Sequence, residues 1–112
     1  MSPTQRTLKK LREEGYLAQV VERWCSFTKR RHDLFGIIDV LAIKDGETLA
    51  VQTTSGSGAS ARLKKMLESD TLQPILNAGW KVHIHGWRKV KVKRGGKAMR
   101  WDVRLIDVKD HV

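Results

Sequence analysis

The sequence predicts one α/β domain over residues 1–112, with a mixed central β-sheet flanked by helices. Three observations carry that expectation. An apolar stripe at helical spacing opens the chain. Two alternating runs joined by Asp45-Gly46 follow it. A second helical stretch then leads into two more alternating runs. A chain of 112 residues can bury one core and is too short for two.

Ser2-Pro3-Thr4-Gln5 reads as a helix start, with Ser2 as N-cap, Pro3 in the first turn and Gln5 placed to complete a capping box. Leu8 and Leu11 give the stripe and Gly15 the stop, so the first helix spans about 3–14. From Tyr16 the period becomes two: Tyr16, Ala18, Val20, Glu22 and Trp24 share one face of a strand, and Glu22 interrupts it. A second strand is expected over Leu34–Ile43, apolar except for Asp39, and a third over Leu49–Thr54. Asp45-Gly46 is a strong two-residue hairpin turn. It sets Lys44 against Glu47, so Asp39 stands opposite Gln52 on one face and Ile37 opposite Thr54.

The small, polar segment Ser55–Ser60 suits a loop passing close to a ligand, with Ser60 capping the next helix. Leu63, Met66 and Leu67 are that helix's apolar stripe, and Arg62, Lys64 and Lys65 its basic side. Thr71–Ala78, with Pro74, predicts a short helix ending at Gly79. Trp80–Trp87 and Met99–Leu105 alternate as strands around a Gly95-Gly96 turn. Residues 88–100 form a basic hairpin with seven Lys or Arg and no acid.

Twenty-two Lys and Arg against 12 Asp and Glu give a formal charge of +10, which favours a polyanionic partner such as nucleic acid. Cys25 is the single cysteine, so no intrachain disulfide is possible; a packed thiol and a reducing compartment are expected. No leader-like apolar segment and no run long enough for a membrane span is visible, which predicts a soluble, cytoplasmic protein.

A carboxylate inside an apolar strand costs several kcal/mol, to order of magnitude, unless an ion, a proton or a hydrogen-bond network compensates it. Glu22, Asp39 and Gln52 together would present oxygen atoms of the kind that suits Mg²⁺ or Mn²⁺. Such an ion orients a phosphodiester and stabilises charge on attacking and leaving oxygens. A salt bridge from Glu22 to Arg23 or to the Lys29–Arg31 run is the structural alternative. His83 and His85 have no third histidine or cysteine at zinc spacing and are expected to face solvent or DNA. No base is placed to activate Cys25. The four tryptophans read as core and rim packing, with Trp87, beside Arg88 and Lys89, a candidate for sugar-phosphate contact.

Asp39-Val40-Leu41-Ala42 matches the pattern acid-hydrophobic-hydrophobic-Ala, and Ala50-Val51-Gln52-Thr53-Thr54 stands where Ala-hydrophobic-Glu-hydrophobic-Lys is usual. In these motifs, and in the order of helices and strands over most of residues 1–87, the chain resembles the PD-(D/E)xK nuclease superfamily. It looks most like archaeal-type Holliday-junction resolvases and their small phage-encoded relatives. The resemblance implies a restriction-endonuclease-like core and a Mg²⁺- or Mn²⁺-dependent endodeoxyribonuclease acting on branched DNA as a homodimer.

The chain departs from the pattern at two places: Gln52 replaces an acid and Thr54 replaces the lysine that polarises the attacking water. Arg62 or Lys65, on the following helix, is expected to supply that charge. The first helix offers Thr4 and Gln5 where the family carries a glutamate, and Glu22 is the expected substitute. Asp33 is a further candidate ligand. A straight strand would hold it roughly 20 Å from Asp39, so it can join the same ion only if Gly36 bends the chain. Lys29, Arg30, Arg31, Ser55, Ser57, Lys64, Trp87, Arg88, Lys89, Lys91, Lys93 and Arg94 are the expected DNA contacts. The lost lysine leaves two other readings, a catalytically inactive DNA-binding module and a basic RNA-binding accessory protein.

Overall fold

In the computed structural model, which describes residues 1–112, the chain opens with helix α1 (Pro3–Glu13). Ser2 Oγ accepts from the Gln5 backbone N–H at 3.2 Å, and Pro3 sits in the first turn, where a helix has no partner for its N–H anyway. Thr7, Leu8 and Leu11 form its buried face. Strand β1 (Leu17–Val20) follows, then a two-stranded antiparallel ribbon of β2 (Arg23–Cys25) and β3 (Arg30–His32). The chain then forms β4 (Val40–Lys44), β5 (Glu47–Ser55), helices α2 (Ala59–Leu67) and α3 (Leu72–Asn77), and strands β6 (Lys81–Lys91) and β7 (Met99–Asp107).

Five strands make one mixed sheet in the order β1-β4-β5-β6-β7. All neighbours are antiparallel except β5 and β6, and their parallel pairing requires the crossover that α2 and α3 supply. The sheet is covered on both faces. Leu8 and Leu11 of α1 pack on Ala18, Val40, Ala42, Leu49 and Val51. On the other face Met66, Leu72 and Ile75 pack with Ala50, Val82, Ile84 and Ile106. Alternation along β5 therefore sends odd residues to α1 and even residues to α2. No helix is long and apolar enough to cross a membrane.

The Asp45-Gly46 hairpin has the expected register, from Lys44 opposite Glu47 to Val40 opposite Val51. Four expectations are corrected. The strand foreseen over Tyr16–Trp24 breaks at Val21-Glu22, just after the last rung to the neighbouring strand, from the Val21 N–H to the Asp39 carbonyl at 2.8 Å. The strand foreseen over Leu34–Ile43 begins only at Val40; before it, Leu34 bridges back to Ile38 through a tight turn with φ +54° at Phe35 and +80° at Gly36. Gly36 accepts that conformation without the Cβ clash that other L residues suffer. Ser60 does not cap α2, because a 3₁₀ turn over Gly56–Gly58 leads directly into the helix; its hydroxyl instead meets Arg104 Nη1 at 3.4 Å.

The fourth correction concerns the histidines. His85 is fully buried, and His83 is largely so, with Nε2 3.8 Å from Asp107. Both lie beneath α1 rather than facing solvent or DNA. Trp87 Nε1 donates to Thr7 Oγ1 at 2.8 Å, and Thr7 Oγ1 lies 3.2 Å from His85 Nδ1. An indole N–H can only donate, so the Thr7 oxygen accepts from Trp87, and the same hydroxyl shares a hydrogen with Nδ1 of a neutral His85. Burial pushes the His85 pKa down to about 3, in accord with that state.

Candidate metal centre

Asp39 ends the turn and stands at the mouth of β4, opposite Gln52 near the C-terminal end of β5. Its Oδ2 accepts three hydrogen bonds: from Gln52 Nε2 at 2.7 Å, from the Thr53 N–H at 2.9 Å and from Thr53 Oγ1 at 3.2 Å. Glu22 arrives from the break between β1 and β2, and Asp33 from the far root of the same ribbon. Carboxylate oxygens of Glu22, Asp33 and Asp39 lie within 4.8 Å of one another. The Phe35-Gly36 bend is what brings Asp33 there, since an extended path would carry it far away.

The three acids open into a cleft of about 380 Å³ lined by Pro3, Thr4, Glu22, Arg31, Asp33, Asp39, Gln52, Thr53, Arg62 and Lys65. It lies over the C-terminal half of β5, at Gln52 and Thr53, beside the point where β4 begins. Thr4 Oγ1 meets Thr53 Oγ1 at 2.8 Å, tying the start of α1 to the cleft floor. Arg31 pairs with Glu22 at 3.0 Å, so the ion pair considered as the structural alternative forms within the site itself.

Burial is the first cause that pushes the Asp39 pKa up from 3.8 to about 7; hydrogen bonding to Asp33 and the charges of Asp33 and Glu22 add to it, while the Thr53 N–H opposes them. Near neutral pH the cluster therefore holds a proton or a cation at little cost, because either one relieves the crowding of three acids. An all-oxygen donor set of this kind matches a hard divalent ion such as Mg²⁺ or Mn²⁺ rather than a soft metal.

Most of the expected chemistry meets here: Glu22, Asp33, Asp39, Gln52, Arg62 and Lys65 share one cleft. Gln52 changes its assignment, since it turns its amide nitrogen to Asp39 and so orients the carboxylate, while Asp33, the further candidate, does reach Glu22 and Asp39 through the Gly36 bend. Thr54 does share a face with Gln52, but it lies outside the cleft lining, toward the 3₁₀ turn. A Cβ on Gly58 would come within 2.5 Å of Thr54 Oγ1. The residue at the site is Thr53. Its role and that of Thr4 escape a reading by alternation, because they depend on where β5 ends and how α1 lies across it.

The expected DNA contacts fall into three groups. Lys29, Arg30 and Arg31 are exposed on the ribbon, and Lys64 on α2. Ser55 and Ser57 flank the 3₁₀ turn with their hydroxyls 3.2 Å apart. Beyond the Ser55–Trp87 pair, β6 runs on through Arg88, Lys89 and Lys91, so the basic hairpin projects past the end of the sheet that carries the cleft. Lys93 and Arg94 occupy its exposed turn, and Arg88 lies 3.8 Å from Asp102. Trp87 is half-buried with its N–H committed to Thr7, and its exposed part borders a surface cleft that also carries Arg6, Lys9 and Lys10. Cys25 is half-exposed on the ribbon rather than packed in the core.

No family model, curated protein or solved structure matches the chain.

Proposed function

We propose that this domain is a restriction-endonuclease-like, metal-dependent endodeoxyribonuclease that hydrolyses phosphodiester bonds in branched or structured DNA. The observation that carries the reading is the convergence of Glu22, Asp33 and Asp39 with Arg62 and Lys65 over one polar cleft, in a chain of charge +10. Three acids concentrated in an otherwise electropositive molecule gain nothing from a bare polyanion and fit one accompanied by a cation. Mg²⁺ or Mn²⁺ bound by these acids supplies Lewis acidity toward a phosphoryl oxygen and toward water.

The protein's own groups have separable tasks. Gln52 and Thr53 hold Asp39 in one orientation through three hydrogen bonds. Arg62 and Lys65, from α2, bring positive charge to the same cleft and take the part of the cation missing at Thr54, offsetting charge that develops on the phosphate. The ribbon cations and the 88–100 hairpin hold phosphates on either side, giving affinity that falls steeply with salt and little base-sequence preference. Two strands of a junction require two such sites, hence a homodimer.

The test is cleavage of labelled four-way junction, flap and blunt duplex with Mg²⁺ or Mn²⁺, beside Asp39→Asn and Glu22→Gln. The expected result is metal-dependent cutting of branched DNA by the parent protein and loss of cutting, with binding kept, in both variants. A parent protein that binds the junction and cuts nothing is a binding module. Preference for structured RNA overturns the DNA assignment.

A further inference from the structure

The ribbon that carries two of the three acids at its roots has an unusual body. Between Glu22 and Asp33 it holds Arg23, Lys29, Arg30 and Arg31 and no acid. Its two aromatic side chains lie outside the core: Trp24 is 62% exposed and Phe27, in the turn, 95%. Neither stabilises the fold by burial, and both stand among cations in a segment without acids. The pairing fixes where Trp24 faces. It stands directly opposite Arg31, so the two share one face of the ribbon, and Arg31 lines the cleft. Arg23 and His32, and Cys25 and Arg30, share the other face. Three strand residues span about 10 Å, so Phe27 stands roughly two to three stacked bases beyond the acids.

We infer that the β2–β3 ribbon is a base-stacking arm, in which Trp24 and Phe27 receive unpaired bases of a DNA strand whose phosphates follow Lys29, in the turn, and Arg31, on the cleft face, toward the acidic cleft. The inference rests on the proposed nuclease reading and deepens it by assigning the substrate class: DNA with an unpaired segment beside the cleavage point. In intact duplex each base already stacks on its neighbours, whereas an unpaired base offers a free π-face that an exposed aromatic ring can cover. The cationic body of the ribbon selects a polyanion over an apolar protein surface. The position of Trp24 on the cleft face makes the stacked segment continuous with the strand that reaches Asp39.

The experiment separates binding from cutting by working in EDTA. Fluorescent duplexes of equal length, one blunt and one with a six-nucleotide 3′ or 5′ overhang, are titrated with the parent protein, Phe27→Ala, Trp24→Ala, the double variant and the conservative Phe27→Tyr. The parent protein should prefer an overhang by about five- to a hundredfold, the range that base–aromatic stacking supplies. The alanine variants should lose that preference while binding blunt duplex within about twofold of the parent, and Phe27→Tyr should keep it. Intrinsic fluorescence should be quenched by the overhang in the parent and not in Trp24→Ala. Equal affinity for blunt and overhanging DNA, an overhang preference untouched by the double variant, or tighter binding of an RNA overhang overturns the arm. So does Phe27-dependent binding to vesicles of anionic lipid without any overhang preference. These outcomes do not depend on catalysis: a protein that never cuts DNA can still show the Phe27-dependent preference, and an active nuclease can fail to show it.

Discussion

Asp39→Asn should make the metal-free protein more stable, and by an amount that depends on pH. The Asp39 pKa is raised from 3.8 to about 7, so between these values the folded protein binds a proton that the unfolded chain has lost. The wild-type stability contribution is therefore full below about pH 4 and declines as pH rises toward 7. About three pH units at 1.36 kcal/mol each set a ceiling of ~4 kcal/mol on the cost of the ionised group at pH 8, against ~1.7 kcal/mol at pH 5, where the folded carboxyl is still protonated. Asparagine keeps an oxygen for Gln52 Nε2, the Thr53 N–H and Thr53 Oγ1, and offers an N–H₂ toward the neighbouring acids. Urea unfolding in EDTA should show the variant about 2–4 kcal/mol more stable than wild type at pH 8 and about 1–2 kcal/mol more stable at pH 5. With Mn²⁺ at a hundred times its dissociation constant, wild type should gain ~2.7 kcal/mol and the variant little. A variant less stable than wild type in EDTA at pH 8, or one whose advantage is the same at both pH values, refutes the account of crowded acids.

Replacing Arg62 or Lys65 by Met should lower the cleavage rate of branched DNA about 10²- to 10³-fold while changing its binding in EDTA less than about tenfold, as single-turnover kinetics and a gel-shift titration will show. Gly36→Ala should cost about 1–2 kcal/mol in urea unfolding because its φ is +80°, and should weaken Mn²⁺ binding by displacing Asp33, read by calorimetry. Neutralising Lys89, Lys91, Lys93 and Arg94 together should reduce the slope of log affinity against log salt by up to about 3 to 4, while affinity falls similarly for unrelated DNA sequences.

The sheet was readable where local chemistry decides. Asp45-Gly46 fixed a register that the pairing of Lys44 with Glu47 reproduces, and with it the meeting of Asp39 and Gln52. Alternation also predicted that β5 presents Gln52 and Thr54 to one face. It did not predict that the two would part company, because Thr54 lies past the cleft and against the Gly58 turn. Strand breaks were harder. The alternation of Tyr16–Trp24 continues smoothly through Glu22, yet the ladder to β4 makes its last bond from Val21 to Asp39, and from Arg23 the chain pairs with β3 instead. The bend at Phe35-Gly36 was visible only as a possibility offered by one glycine, and it decides whether Asp33 belongs to the site. His83 and His85 show the limit of charge-based expectation: polar residues on a strand were expected outside, but α1 covers them and Thr7 supplies a partner that no local pattern announces.

Glu22, Asp33 and Asp39 are proposed to hold one divalent cation. Anomalous scattering from crystals grown with millimolar Mn²⁺ tests it directly. A single strong peak is expected about 2–2.5 Å from an Asp39 oxygen and from an oxygen of Glu22 or Asp33. Well-ordered crystals with no peak in that cleft, or with manganese bound only elsewhere, contradict it.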